Sequence, residues 1–381
     1  MTSTGNPDCG KTRREALAAL GIGAAAAALP ATAFAQPAFP MGAVIRTILR
    51  DYAPAELAGG ATLFHEHMSL RDGFLTEWGR YAAEARATNR APNAPPPPAA
   101  AAPQAPAPAP TEPYFMTDVD VMSQELAIAK REGIACIVDG GHPDMGRDIN
   151  FLRTISNRSG VPIVAGAGFY AQPFYPKAIA AMSEEGVFQS LMKQVNTDPI
   201  GAFGEIGSWD YITRDERKVF RAIGRAHVAT NIPIFTHTGI PGKSALEQLD
   251  ILEDAGVDPK RVVIGHLGNL DDPNTEIHRA ILRRGAFVGF DRQGGAGDAP
   301  VIPIVMSLIE AGYAAQLMFS SDLASAREIR RNNNEGGYAK TLTVFAPKLK
   351  AAGATDAILH QILVDNPRRF LAFVPKIKRK T

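Results

Sequence analysis

Residues 61–67 read Ala-Thr-Leu-Phe-His-Glu-His, a short apolar run that closes on two histidines with a glutamate between them. Residues two apart in a strand share a side, so His65 and His67 face one way and Glu66 the other. Two imidazoles on one side of a strand end can chelate a divalent ion. Four further apolar runs end in the same kind of residue: IGAFGE on Glu205, IPIFTH on His237, VVIGH on His266 and LMFSSD on Asp322. Half of the chain's eight histidines belong to this set. Ligand residues at successive strand ends are what a two-metal hydrolytic site at the mouth of a barrel requires.

Working outward, the same rhythm of apolar run, loop and amphipathic stretch repeats along the chain. Strand-like runs occupy 62–65, 134–139, 162–166, 201–206, 233–237, 262–266, 286–291 and 316–320, with helix candidates at 121–132, 214–230, 244–255 and 274–284. Continuous apolar runs without alternation suit parallel strands covered on both faces. The pattern predicts an α/β fold, a (β/α)8 TIM barrel with its site at the C-terminal ends of the strands. An open doubly wound sheet is the competing architecture, but no glycine-rich phosphate loop follows the first strand. Residues 44–52 predict a strand or hairpin ahead of the barrel. An insertion at 88–113, almost entirely Ala and Pro from residue 91, interrupts the first strand-to-helix connection and is expected to be extended and disordered.

The chain has 381 residues, 45% of them hydrophobic and 21% charged, enough for one domain of barrel size. Residues 1–35 read as a twin-arginine signal: Thr12-Arg13-Arg14-Glu15-Ala16-Leu17, then an Ala/Gly-rich stretch, then Ala33-Phe34-Ala35 as a cleavage site. An uncleaved anchor helix is the other reading of that stretch. Export of a folded protein to the periplasm follows from the first. Without residues 1–35 the chain carries 37 positive and 37 negative side chains. That neutrality gives no case for nucleic acid or for an anionic membrane as a partner. Of the two cysteines, Cys9 lies in the leader and Cys136 in an apolar run, where it reads as a small buried hydrophobe. No disulfide framework or thiolate metal cluster can be built from them.

Chain order also assigns neighbours. Asp322 ends the eighth strand, which adjoins the first when a barrel closes, and so can complete the ligand set of an ion held by His65 and His67. His237 and His266 end adjacent strands and would hold a second ion, with Glu205 as the bridge. Imidazole and carboxylate donors suit Zn2+, with Mn2+, Co2+ or Fe2+ also admissible. Asp139 and His142 read as structural, and His227, His278 and His360 as surface residues.

At this point the chain resembles the phosphotriesterase family of the amidohydrolase superfamily. The stretches that carry the likeness are TLFHEH, EGIACIVDGGHPDMGRDINFL, VPIVAGAGFY, GEIG, IPIFTHTG, GVDPKRVVIGHLGNLDD, GAFVGFDRQGG and DNPRRFLAF. The resemblance implies a barrel hydrolase with two divalent metal ions on His65, His67, Glu205, His237, His266 and Asp322. It also implies a shared water acidified by the ions, with Asp322 taking its proton. Many relatives bridge their metals with a carboxylated lysine where this chain has Glu205. A glutamate is a permanent carboxylate of shorter reach, used by the glutamate-bridged phosphotriesterase homology proteins. Tyr170 in GAGFY and the Asp291-Arg292-x-Gly294 segment resemble the phosphotriesterase-like lactonases and imply substrate-binding roles for Tyr170 and Arg292. The reaction so implied is hydrolysis of a small-molecule lactone or carboxylic ester. Phosphate triester hydrolysis is the alternative, and a non-catalytic metal-binding barrel a further one. The resemblance implies a homodimer.

Overall fold

Alternation along the predicted strands decides which side chains face the helices and which face the barrel axis. Ile137, Ile234, Val262 and Ile264 join a large apolar cluster that includes Leu152, Val219 and Leu249 from the helices. Their neighbours Val138, Phe235 and Val263 join a second cluster with Phe64, Val164, Ala202 and Met318. A sheet that buries both faces in this way has an inner and an outer core. The computed structural model describes residues 37–88, 114–239 and 244–376. The expected leader at 1–35 and residues 89–113 of the insertion lie outside them.

The chain enters through an antiparallel hairpin, β1 (Ile45–Arg46) and β2 (Asp51–Tyr52). Eight parallel strands follow: β3 (Ala61–Glu66), β4 (Ile134–Asp139), β5 (Ile163–Ala167), β6 (Ile200–Ser208), β7 (Ile234–Thr238), β8 (Val262–Ile264), β9 (Phe287–Phe290) and β10 (Leu317–Phe319). They pair in chain order with helices between them, the nearly closed (β/α)8 barrel that the sequence predicted. Beyond the ladders, the seam from β10 to β3 is bonded by His65 N–H to Ser320 Oγ (3.0 Å), Asp322 N–H to His65 O (3.3 Å) and His67 N–H to Leu323 O (3.3 Å). The first and last strand ends are thereby held side by side.

The four predicted helices form within two residues of their expected limits, at Val119–Arg131, Arg214–Thr230, Ala245–Asp254 and Glu276–Arg283. Caps set the starts. Asp118 accepts from Asp120 N–H and Val121 N–H, and Thr213 forms a capping box with Glu216. Helices outside those four also form, Ile149–Ser159, Glu184–Thr197 and Asp298–Glu310 among them, and the unexpected one that bears on the site is Phe74–Thr88. It stands in the first strand-to-helix connection, and its Phe74, Trp78, Tyr81 and Ala82 follow the i, i+4, i+7, i+8 spacing that would have revealed it.

The N-terminal hairpin and the helix Asn366–Leu371 cover the barrel floor, linked by the Val44–Phe373 bridge, and Ile48 N–H to Ile163 O at 2.7 Å ties the hairpin to β5. Two histidines expected at the surface are buried. His278 sits between Asp272 Oδ2 and Leu267 O, at 2.8 and 2.9 Å, with its ring stacked on Phe290. His227 Nδ1 bonds Ile232 O at 2.7 Å. Both lie on helix faces that turn inward, and local carbonyl or carboxylate partners remove the cost of burying an imidazole. His360 is exposed, as expected. Cys136 is fully buried, and burial pushes its thiol up to about 12. Among the described residues no helix is long and apolar enough to cross a membrane.

Candidate metal centre

The apolar inner core stops where the strands end, and polar side chains fill the barrel mouth above it. His237 follows Phe235 by two residues in β7 and so faces the axis with it. Glu205 lies in β6 after Gly204, whose φ is +148° and where a Cβ would collide with the Phe235 ring. Glycine there lets β6 approach β7. His266 and Asp322 lie beyond the ladders of β8 and β10, both in left-handed backbone with φ of 61° and 49°. The strand-like run 262–266 therefore ends early, at Ile264, and the run 316–320 ends at Phe319, short of Asp322.

All six predicted ligands converge. His67 Nε2 lies 3.0 Å from Glu205 Oε1 and 3.2 Å from Asp322 Oδ1. The other oxygen, Glu205 Oε2, is 2.8 Å from His237 Nδ1 and 3.4 Å from both His266 Nε2 and His65 Nε2. His65 Nε2 is 3.7 Å from Asp322 Oδ1 and, although buried, makes no hydrogen bond. Glu205 thus stands between the two halves, with Oε1 toward His67 and Oε2 toward His237, His266 and His65.

The electrostatics follow from dense charge under burial. Burial opposes the imidazolium of His65, but Glu205, Asp322 and Asp291 hold it well above its ordinary value. Against the same penalty, Asp322 and Glu205 lift His67 to about 9. Burial and the facing His266 push His237 down to about 4, despite Glu205. Burial would raise Glu205 and Asp322, yet the surrounding imidazoles, and Arg292 for Asp322, hold both carboxylates well below the usual range.

Whether these residues suit divalent ions is answered by the donor set. His65, His67 and Glu205 can hold one ion, and Glu205, His237 and His266 another. Asp322 Oδ1 lies beside the first group, 3.2 Å from His67 Nε2. Four imidazoles, with the Glu205 carboxylate common to both groups and the Asp322 carboxylate beside them, fit two ions such as Zn2+ or Mn2+. Asp291 also lies within reach of His65 and His266, but as an orienting residue. Its Oδ2 is 2.9 Å from His65 Nδ1, and its Oδ1 is 2.8 Å from His266 Nδ1 and accepts His266 N–H at 2.9 Å. Those contacts use the Nδ1 side of each ring and leave Nε2 facing Glu205. The sequence reading passed over Asp291 as an orienting residue, although it ends the seventh strand-like run and so obeyed the rule that found the others.

Glu66 points away from the ligands, as the strand period demands, and clamps the loop that carries Asp322. It accepts Ser321 N–H (2.7 Å), Ser321 Oγ–H (2.8 Å) and Leu323 N–H (2.8 Å). Burial lifts its carboxyl to about 7 in spite of these bonds. Asp139 Oδ1 accepts Met68 N–H at 2.8 Å, and His142 is buried with its Nδ1 3.6 Å from Asp144 Oδ1.

Outside the ligands lies a cavity of about 170 Å³ lined by Phe74, Leu75, Trp78, Tyr170 and Arg292. The Tyr170 hydroxyl is 3.0 Å from His237 Nδ1 and accepts Trp78 Nε1–H at 2.8 Å. Arg292 Nε donates to Asp322 Oδ2 at 3.2 Å. Trp78 was not foreseen, because it stands on the unexpected helix.

The sequence pattern of the phosphotriesterase family matches residues 45–371. The chain belongs to the phosphotriesterase family. Its members are hydrolases of the amidohydrolase superfamily that depend on a binuclear metal centre. N-acetyltaurine hydrolase of Mus musculus is 27% identical over 276 residues, 67% of this chain and 78% of the relative. Aryldialkylphosphatase of Saccharolobus solfataricus is 29% identical over 266 residues, 65% of this chain and 84% of the relative. The crystal structure of the Escherichia coli phosphotriesterase homology protein, with phosphate in its active site, superposes with a TM-score of 0.68 at 26% identity. It covers 84% of this chain and 100% of that one. The family thus brings together relatives whose names denote amide and phosphoester cleavage on one barrel.

Proposed function

We propose that this member of the family is an exported hydrolase of carboxylic esters, lactones above all. In this reading His65, His67 and Asp322 hold one ion, His237 and His266 the other, and Glu205 bridges them. The observation that carries it is Glu205, a permanent carboxylate that lies between the two halves of the cluster, within 3.4 Å of His65, His67, His237 and His266. Two divalent ions held there would acidify water and polarise the bond under attack.

The chain's own residues supply the rest. Asp322, kept ionised by its cationic neighbours, takes the proton from the attacking water. The phenol of Tyr170 can donate to the ester oxygen, since burial raises it well above the ordinary tyrosine value and keeps it protonated. Phe74, Leu75 and Trp78 exclude water from that side. A compact cavity, apolar on the side of Leu70, Phe74, Leu75 and Trp78 and polar on the side of the ligands, favours a flat acyl group over a phosphorus bearing three ester arms. The twin-arginine pattern at 1–35 supports delivery to the periplasm in folded form.

The test loads the protein with zinc, manganese or cobalt. Turnover is then compared for wild type and Asp322→Asn on γ- and δ-lactones, acyl-homoserine lactones, aryl esters, phosphate triesters and N-acetyl amino sulfonates. Lactone turnover should exceed that of the triesters, and Asp322→Asn should lose about 10³-fold or more of it while still binding metal. Faster turnover of triesters or amides would overturn the lactone assignment, and near-normal turnover by metal-loaded Asp322→Asn would remove its role.

A further inference from the structure

A second concave site lies at the opposite end of the barrel. Arg261 immediately precedes β8, Phe287 opens β9 and Gln316 precedes β10, so the cleft they line opens at the N-terminal face. Its volume is about 650 Å³, several times that beside the ligand cluster. Four cationic side chains line it, Lys260, Arg261, Arg283 and Arg369, against the single carboxylate of Asp258. Asp258 is already engaged, accepting Lys260 N–H at 3.0 Å.

The cations are arranged in two tiers. Lys260, Arg283 and Arg369 are exposed at the rim, whereas Arg261 reaches into the wall. One terminal nitrogen of the Arg261 guanidinium, Nη2, is buried and has no acceptor. Its other terminal nitrogen makes only a 3.4 Å contact with Arg369 O. Burial lowers the guanidinium to about 10, and Asp258 offsets this in part. An arginine donor without a partner in a buried setting is costly, and an anion is the natural way to satisfy it. The positive field is felt nearby: His227, depressed first by burial, is lowered further by Arg261 and Lys376. Apart from Gln316 the rest of the lining is apolar, with the rings of Phe39 and Phe287, and Arg369 already lies over Phe287 at 5.3 Å from its centroid.

We propose that this cleft is a second ligand site, which takes an organic anion. A phosphate or carboxylate head pairs with Arg261 and the rim cations, and a flat apolar body rests on Phe39 and Phe287. A bidentate head suits the guanidinium fork, and the rim cations steer it in. The site needs nothing from the metal centre, and its fate is independent of the hydrolase reading.

Calorimetric titration of the full-length, metal-loaded chain tests it, with phenyl phosphate and benzoate as probes and inorganic phosphate and phenol as controls. The variants are Lys260→Ala/Arg283→Ala, which touches only exposed residues, and Arg261→Gln. Phenyl phosphate or benzoate should bind wild type, and their relative strength tells which head the site prefers. Binding should weaken about tenfold or more in each variant and with added salt. Ester turnover by the rim variant should stay at the wild-type level. Superimposable isotherms for wild type and the rim variant would overturn the proposal, as would failure of both organic anions to bind. Equal binding of phenol would refute the anionic half, and equal binding of inorganic phosphate the apolar half.

Discussion

The barrel interior is two regions of opposite character stacked on one axis. The lower holds Phe64, Val138, Val164, Ala202, Phe235, Val263 and Met318, an apolar layer closed to water. The upper holds His65, Glu205, His237, His266 and Asp291, equally buried but polar throughout. Phe235 and His237 belong to the same strand, two residues apart, one in each layer. The lower layer stabilises the fold by removing apolar surface from water. The upper layer confines imidazoles against one another, with His237 Nδ1 only 2.7 Å from His266 Nε2, an arrangement whose stabilisation comes from ligands that it binds. One layer makes the barrel and the other uses it.

Substitutions in the two layers should therefore fail differently. The largest effect on folding is expected from Phe235→Ala, which empties the centre of the lower layer. Denaturant titration should show a loss of about 3–5 kcal/mol. A loss below about 1 kcal/mol would mean that the layer does not carry the fold. In the upper layer, Asp291→Asn keeps the volume but removes the charge that orients His65 and His266. Equilibrium dialysis should show metal affinity weakened about 10–100-fold. An unchanged affinity would leave Asp291 as packing alone. The smallest effect belongs to Cys136, whose buried thiol sits near 12. A thiol reagent at pH 8 should leave Cys136 unmodified in the folded chain and label it on unfolding. Rapid labelling of Cys136 under native conditions would show that the lower layer opens.

The same division explains what was legible in the sequence. The strands were readable because their apolar runs are continuous, and the ligands because each follows such a run. His65, His67, Glu205, His237, His266 and Asp322 all converge at the barrel mouth. What escaped was contact between elements far apart in sequence. Asp291 holds His65 across 226 positions, and Glu66 clamps Ser321 across 255. Asp291 ends a strand-like run, but its partners, like those of Glu66, are set only by the closing of the barrel. The helix Phe74–Thr88 carries no strand-end ligand, and only its aromatic spacing marks it in the sequence. His227 and His278 escaped in the opposite direction, since spacing alone does not show that a backbone carbonyl waits for the ring.

The central claim is that Glu205 joins two ion sites into one centre. Metal content per chain, measured on wild type and Glu205→Gln after loading and dialysis, tests it most directly. The account predicts two ions per wild-type chain. It predicts fewer than two in Glu205→Gln, with turnover falling about 10²-fold or more. A wild-type chain that saturates with one ion, or a Glu205→Gln chain that keeps two ions and full turnover, would contradict it.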